Sequence, residues 1–184
     1  MKKEEYEVLF NTEDYYWWYI GLRNLIISYL EEISKKRKNV KILDAGCGTG
    51  KILADCQTYK IYGIDFSEEA IRYCKLRDLH NMVRGSICCI PFKKCSFDIV
   101  ISLDVLYHAA VENDVQTLKG IYDVMNKDGI LMLNLPAYNF LKSRHDDAVH
   151  TRHRYTIKDL KRKVIKAGFE IEKITYRNTI FFPI

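Results

Sequence analysis

The chain has 184 residues, 48% of them hydrophobic, and a formal net charge of +5. That size suits one α/β domain with a sizeable core; no apolar run of about 18 residues marks a membrane span, and Met1-Lys2-Lys3-Glu4-Glu5 leads into no signal-peptide core, so a cytoplasmic, membrane-free protein is expected. The six cysteines (47, 56, 74, 88, 89 and 95) lack paired C-x-x-C spacing and read as small apolar fillers in a reduced compartment, without a disulfide framework or a zinc site.

In chain order, the aromatic cluster Tyr15-Tyr16-Trp17-Trp18-Tyr19 comes first. It is either a staple holding the first helix on the sheet or a lid that keeps water from a reaction centre. Leu22, Leu25, Ile26, Tyr29, Leu30 and Ile33 recur at helical spacing, so residues 1–38 read as a lid plus an amphipathic helix ahead of a core over 39–184. Val40-Lys41-Ile42-Leu43 is a buried strand that ends in Asp44, and Ala45-Gly46-Cys47-Gly48-Thr49-Gly50 is a glycine-rich turn opening a helix. Such a turn lets backbone N–H groups face a ligand, because glycine has no Cβ to hold it off. The glycines at 46, 48 and 50, with Lys51 following, do not match the G-x-G-x-x-G dinucleotide fingerprint.

Lys60 to Asp65 is a second strand ending in an acid. Asp65 stands about twenty residues beyond the turn, where a carboxylate can accept ribose hydroxyls. Phe66 beside it can cover a flat base, and Ser67 with Glu68 and Glu69 reads as a capped helix start. Met82-Val83-Arg84-Gly85 is a short third strand, and Phe97 to Leu103 is a fourth, apolar enough to be buried on both faces. Val115, Leu118, Tyr122 and Met125 mark a helix, Asn126-Lys127-Asp128-Gly129 a turn, and Ile130 to Leu135 a fifth strand. Thr156-Ile157-Lys158-Asp159 resembles a capping box with Asp in place of Glu, Gly168 stops that helix, and Phe169 to Tyr176 reads as a sixth strand. The alternation predicts a Rossmann-like, doubly wound, mostly parallel sheet with helices on both faces.

The form D-x-G-x-G-x-G after a strand resembles the first motif of class I S-adenosylmethionine (SAM) methyltransferases of the type 11 group. Ile90-Pro91-Phe92, Ser96 to Val100, Asp104-Val105-Leu106-Tyr107-His108 and Asp128-Gly129-Ile130-Leu131 extend the resemblance over most of the chain. The resemblance implies SAM as cofactor and S-adenosylhomocysteine as product. It implies a cofactor pocket of Asp44, Ala45, Gly46, Cys47 and Gly48 in the turn, Asp65 and Phe66 after the second strand, Ser86 and Ile87 near the adenine, and Leu103. Ser86 stands where the family usually carries an acid, and its hydroxyl can accept the same bond without charge assistance. Trp17-Trp18-Tyr19 with Arg23 is similar to a segment in one subset of the family, which adds Trp18 and sets Arg23 against the methionyl carboxylate; a surface salt bridge is the alternative for Arg23. Family members continue to a seventh strand, and here the chain stops at Ile180-Phe181-Phe182-Pro183-Ile184, so that strand is expected to be missing, with a homodimer across the unfinished edge as one way to complete it.

Residues 136–155, which include His145, His150, His153 and Tyr155, follow a strand end and resemble the acceptor-side loop of the same subset. His108 and His150 are the candidate bases and Tyr155 the residue that orients the acceptor. A metal held by this His and Asp cluster is the alternative, but no helical H-E-x-x-H pairing supports one. Without an N/D-P-P-Y sequence after the fourth strand, a DNA-base amine is disfavoured, and a small-molecule acceptor is expected. The rivals are an RNA or protein acceptor and a methyltransferase-like scaffold without activity. The basic runs Lys35-Lys36-Arg37-Lys38 and Lys158 to Lys166 read as solvated faces.

Overall fold

A computed structural model describes residues 1–177. Two helices, α1 (Lys3–Thr12) and α2 (Trp17–Lys36), precede β1 (Lys41–Ala45). There follow α3 (Lys51–Asp55), β2 (Lys60–Asp65), α4 (Glu68–Leu76), β3 (Met82–Arg84), β4 (Phe97–Leu103), α5 (Asp114–Val124) and β5 (Met125–Asn134). The described chain closes with α6 (Arg144–Ala148) and α7 (Ile157–Lys166).

The strands form one all-parallel sheet in the order β3-β2-β1-β4-β5. The chain builds outward from β1 to β3, then returns to the other side of β1 with β4, so a crevice opens beyond the carboxyl ends of β1 and β4. Side-chain alternation decides which helices cover which face. Ile42, Ile99 and Ile101 pack with Leu22, Ile26 and Leu30 of α2 and with Leu53 of α3. Leu43, Ala45 and Val100 pack with Leu118 and Ile121 of α5 and Val164 of α7. The expected doubly wound architecture is present.

Local signals set most boundaries. Ser67 Oγ accepts from the Ala70 N–H, and Thr156 Oγ1 accepts from the Asp159 N–H, each capping its helix. Gly168 ends α7 with φ +107°. The Asp159 carboxylate does not complete a capping box; it pairs with Arg162 and Lys163 at 2.8 and 2.6 Å.

Three expectations need correction. First, Phe169–Tyr176 forms no strand, so the outer edge of β5 carries none among the described residues. Side chains hold this segment in place of a ladder. Phe169 packs edge-on to Tyr122 at 5.2 Å, Tyr176 stacks on Tyr138 at 5.1 Å, and the Tyr176 hydroxyl accepts from the Ile157 N–H. Second, the turn expected at Asn126–Gly129 lies within β5, whose pairing jumps from Phe97↔Met125 to Ile99↔Ile130, and Met125 belongs to that strand and not to α5. Third, α1 had no counterpart in the expected elements. The Ile180–Ile184 terminus, where a seventh strand was considered, lies outside the described residues.

Candidate functional site

The turn after β1 has the conformation its glycines permit. Gly46 has φ +96°, and a Cβ there would stand 2.2 Å from Val105 Cγ2. At Gly50, φ +79°, a Cβ would meet Leu79 Cδ1 at 2.6 Å and Cys74 Sγ at 2.8 Å. Gly48 differs: only Leu9 Cδ2, at 4.0 Å, comes near a Cβ there, so that side of the turn is open.

Three of the turn's N–H groups already have partners within the fold. Those of Gly46 and Cys47 both donate to the Ile64 carbonyl at 2.8 and 3.0 Å, and that of Gly48 donates to Asp65 Oδ2 at 2.9 Å. Asp65 Oδ1 accepts from the Ser67 N–H at 2.9 Å. A phosphate cradle would need those donors; here they position a carboxylate instead. Asp65 thus holds a fixed orientation with lone pairs left on both oxygens.

The electrostatics follow from burial. Asp44 is buried, and no hydrogen bond or ion pair from the described residues reaches its carboxylate. Burial, and then the charge of Asp65, push it up to about 7. Burial also raises Asp65, against the pull of its backbone hydrogen bonds. Two acids crowded at the mouth of a glycine turn favour a cation between or beside them. The Cys47 thiol is pushed up by its contact with Cys74 and by burial, which keeps it a neutral wall.

Phe66 presents about half its surface to solvent, and its ring lies 5.7 Å from the His108 ring, which in turn meets His150 edge-on at 5.6 Å. The structure therefore brings His108 and His150 together beside Phe66. His108 Nδ1 accepts from the Ala110 N–H at 3.1 Å, and Nε2 lies 3.0 Å from the Met1 amino nitrogen. Burial, followed by that amine and His150, lowers His108 to about 4, so its imidazole is neutral at neutral pH. His150 is exposed, with φ +56°.

Ser86 is exposed and its hydroxyl accepts from the Cys88 N–H at 3.1 Å, while Ile87 is buried; both line the same cleft as Leu103 at the end of β4. Trp18 is 38% exposed and faces Arg177, whose guanidinium carbon lies 5.0 Å from the indole centroid. Arg23 pairs through Nε with Asp55 at 2.7 Å and donates from Nη1 to the Glu13 carbonyl at 2.7 Å. Arg23 thus makes a salt bridge, one largely buried and not on the surface as the alternative had it.

Tyr155 lines the cleft but is bonded back into the fold. It is 3% exposed, and its hydroxyl lies 3.1 Å from Asp114 Oδ2 and 3.2 Å from the Leu106 carbonyl. Asp114 also pairs with Arg152 and, at 2.7 Å, with Lys163. Asp146, likewise buried, accepts two hydrogen bonds from Arg154, at 2.9 and 2.8 Å, which hold its carboxyl well below the usual range. These two aspartates fasten the segment from His145 to Tyr155 down as an ordered wall.

Sequence reasoning missed how the N-terminal turn meets the site. Glu13 accepts from Thr49 Oγ1 at 2.7 Å and from Arg77 Nη2 at 2.6 Å, and Arg77 Nε donates to the Thr49 carbonyl. Lys51 reaches Asp14 at 2.7 Å. These contacts lock the α1–α2 turn onto the glycine turn, and α1 then runs over the Asp65 end, with buried Tyr6 packed with Tyr73 and the Lys2 N–H donating to the Ala148 carbonyl. Tyr15, Tyr16 and Trp17 are each about half exposed or more, so α1, rather than that cluster, covers the turn. A Glu and an Asp between two helices gave no pattern that could have announced this role.

A continuous cleft of about 2020 Å³ joins these parts, from the glycine turn across the ends of β1 and β4 to the open edge of β5. No group of three or more His, Cys, Asp or Glu side chains is placed to hold a metal among the described residues. No helix among them is long and apolar enough to cross a membrane.

Comparison with known proteins adds a family. Residues 36–175 match the model of a methyltransferase domain. An uncharacterised protein of Methanocaldococcus jannaschii is 27% identical over 166 residues, 85% of this chain and 65% of that protein. The 24-methylenesterol C-methyltransferase 3 of Arabidopsis thaliana is 30% identical over 129 residues, 65% of this chain and 35% of that protein. The chain therefore spans less than two thirds of the length of either relative. Among solved structures, a SAM-dependent methyltransferase of Thermotoga maritima shares the fold with a TM-score of 0.65 at 22% identity, over 91% of this chain and 78% of that one.

Proposed function

The chain belongs to the methyltransferase-domain family, the class I SAM-dependent enzymes with a Rossmann-like fold, and we propose on that basis that it transfers the methyl group of SAM to a small-molecule acceptor. The observation that carries this reading is the pair of buried carboxylates, Asp44 and Asp65, around a glycine turn whose Gly46, Cys47 and Gly48 N–H groups are already occupied. That arrangement rejects a phosphate and suits a ligand with ribose hydroxyls and a positive charge.

In this reading Asp65 accepts the ribose hydroxyls with the lone pairs left by Gly48 and Ser67. Phe66 covers one face of the adenine, and Ser86 and Ile87 meet its edge. Asp44 faces the positively charged end, walled by Ala45, Gly46, Cys47, Gly48 and Leu103. Trp18 closes that end, and Arg23 retains Nη2 for the methionyl carboxylate. SAM, when bound, supplies a methyl already activated on a sulfonium, so the chain's task is alignment and exclusion of water. His108, neutral in its half-buried setting, can hold a proton removed from an acceptor, with His150 beside it. Tyr155 acts through the fold, by holding Asp114.

Calorimetric titration of SAM into the wild type and Asp65→Ala tests this assignment. Loss of a charged acceptor shared by two hydroxyls should weaken binding about tenfold or more. Equal affinities would remove Asp65 from the cofactor site.

A further inference from the structure

Asp104 is the first residue beyond β4, and its backbone is left-handed, with φ +56°. Its N–H donates to the Asn134 carbonyl at 2.9 Å, and the Asn134 side-chain amide donates to Asp104 Oδ1 at 2.9 Å. Because Leu103 and Asn134 are register partners, this link ties the carboxyl ends of β4 and β5 together. Oδ2 has no hydrogen-bond partner among the described residues. A non-glycine residue held at positive φ directly after a strand marks a position that the surroundings over-determine.

Asp104 is exposed to the cleft, and the protein groups crowded around its carboxylate push it up to about 6 against the Asn134 hydrogen bond and the charges of Arg177 and Arg154. Tyr19 and Tyr107 feel its charge in turn, and both line the same space with Trp18 and Leu141. Arg177 lies across Trp18, and its Nη2 is buried without a hydrogen-bond partner among the described residues. Burial lowers its guanidinium, and the charge of Asp104 partly offsets that. Asp104 and Arg177 thus attract one another without forming an ion pair. The contrast with Asp146 and Arg154, which bond directly at 2.8 Å, is informative. Charges that only fasten a fold close on each other; these two leave a gap.

We propose that Asp104 and Arg177 are the two ends of the acceptor subsite, and that the acceptor is a small zwitterion, an amino acid or similar amino carboxylate. This rests on the methyltransferase reading above and names its substrate class. The ammonium meets Asp104 Oδ2, and the carboxylate meets Arg177 Nη2. A plain amine would leave the Arg177 donor unmatched, and a plain acid would face the Asp104 charge without compensation. For an ammonium acceptor Asp104, and not His108, takes the one proton: an N–H bond breaks, an O–H bond forms on Oδ2, and the electron pair stays on nitrogen as the nucleophile.

The probes are the free α-amino acids, together with the decarboxylated amine and the deaminated acid of each one that binds. Binding is measured by saturation-transfer NMR and calorimetry on the chain alone and with S-adenosylhomocysteine, and turnover by release of S-adenosylhomocysteine from SAM. At least one amino acid should bind, its amine and acid counterparts about tenfold more weakly or worse. Asp104→Asn and Arg177→Gln should each weaken amino-acid binding by a similar factor and leave SAM affinity within about twofold; Arg177→Lys should recover part of the loss. Amino-acid binding that depends on both residues in a chain that binds no SAM would keep the subsite and overturn the methyltransferase reading. SAM binding with no amino acid bound, with analogues bound equally well, or with both variants unchanged, would overturn the subsite.

Discussion

Asp44→Asn should stabilise the free protein at alkaline pH while weakening it as a SAM-binding site. The carboxyl is buried without a partner among the described residues, and burial pushes it up to about 7 from the ordinary 3.8 of an aspartate. The unfolded chain therefore loses this proton from about pH 4 upward while the folded chain keeps it. Folded stability falls between those two values and is flat above about 7, at roughly 1.4 kcal/mol per pH unit. Over roughly three pH units that amounts to about 4 kcal/mol of destabilisation at pH 8. The amide removes the charge but is itself a buried polar group lacking a partner, which costs about 1–3 kcal/mol. The variant should therefore be more stable than the wild type by about 1–3 kcal/mol at pH 8, and level with it or weaker at pH 4. Urea unfolding at the two pH values measures this, and SAM titration at pH 8 should show the variant binding more weakly. A variant destabilised by the same amount at both pH values would refute the reasoning, because the carboxylate would then be an ordinary structural acceptor.

Two further outcomes follow from the packing. Asp114→Ala should cost about 2–3 kcal/mol in urea unfolding, since it removes the carboxylate of Arg152, one of the two carboxylates of Lys163 and an acceptor of Tyr155, whereas Tyr155→Phe should cost only about 1 kcal/mol. Gly46→Ala should destabilise the protein because its Cβ meets Val105 at 2.2 Å and its φ is +96°; thermal melting should show Val105→Ala recovering the steric part but not the backbone part.

The order of strands and helices was legible because its signals are local. Apolar runs, the caps at Ser67 and Thr156, and the glycine at 168 act within a few residues of themselves. The turn at Gly46–Gly50 and the acids that end the first two strands could be placed for the same reason: backbone conformation and strand ends follow from adjacent residues. Local pattern could not say whether Phe169–Tyr176 would pair with β5, because a strand exists only if a neighbour's edge accepts it. Tyr122 and Tyr138 bind its aromatics instead. Nor could it say what a side chain would meet across the fold. Tyr155, expected to orient an acceptor, reaches back 41 residues to Asp114 and is buried there. Arg177 lay in no motif, and the motif that begins at Asp104 gave that residue no role, yet both line the cleft. Covalent neighbours dictate the helix caps and the glycine turn, so these can be read from the order of the residues. Which polar groups are occupied and which are left open is settled by packing, because it depends on which distant side chains burial brings within bonding distance.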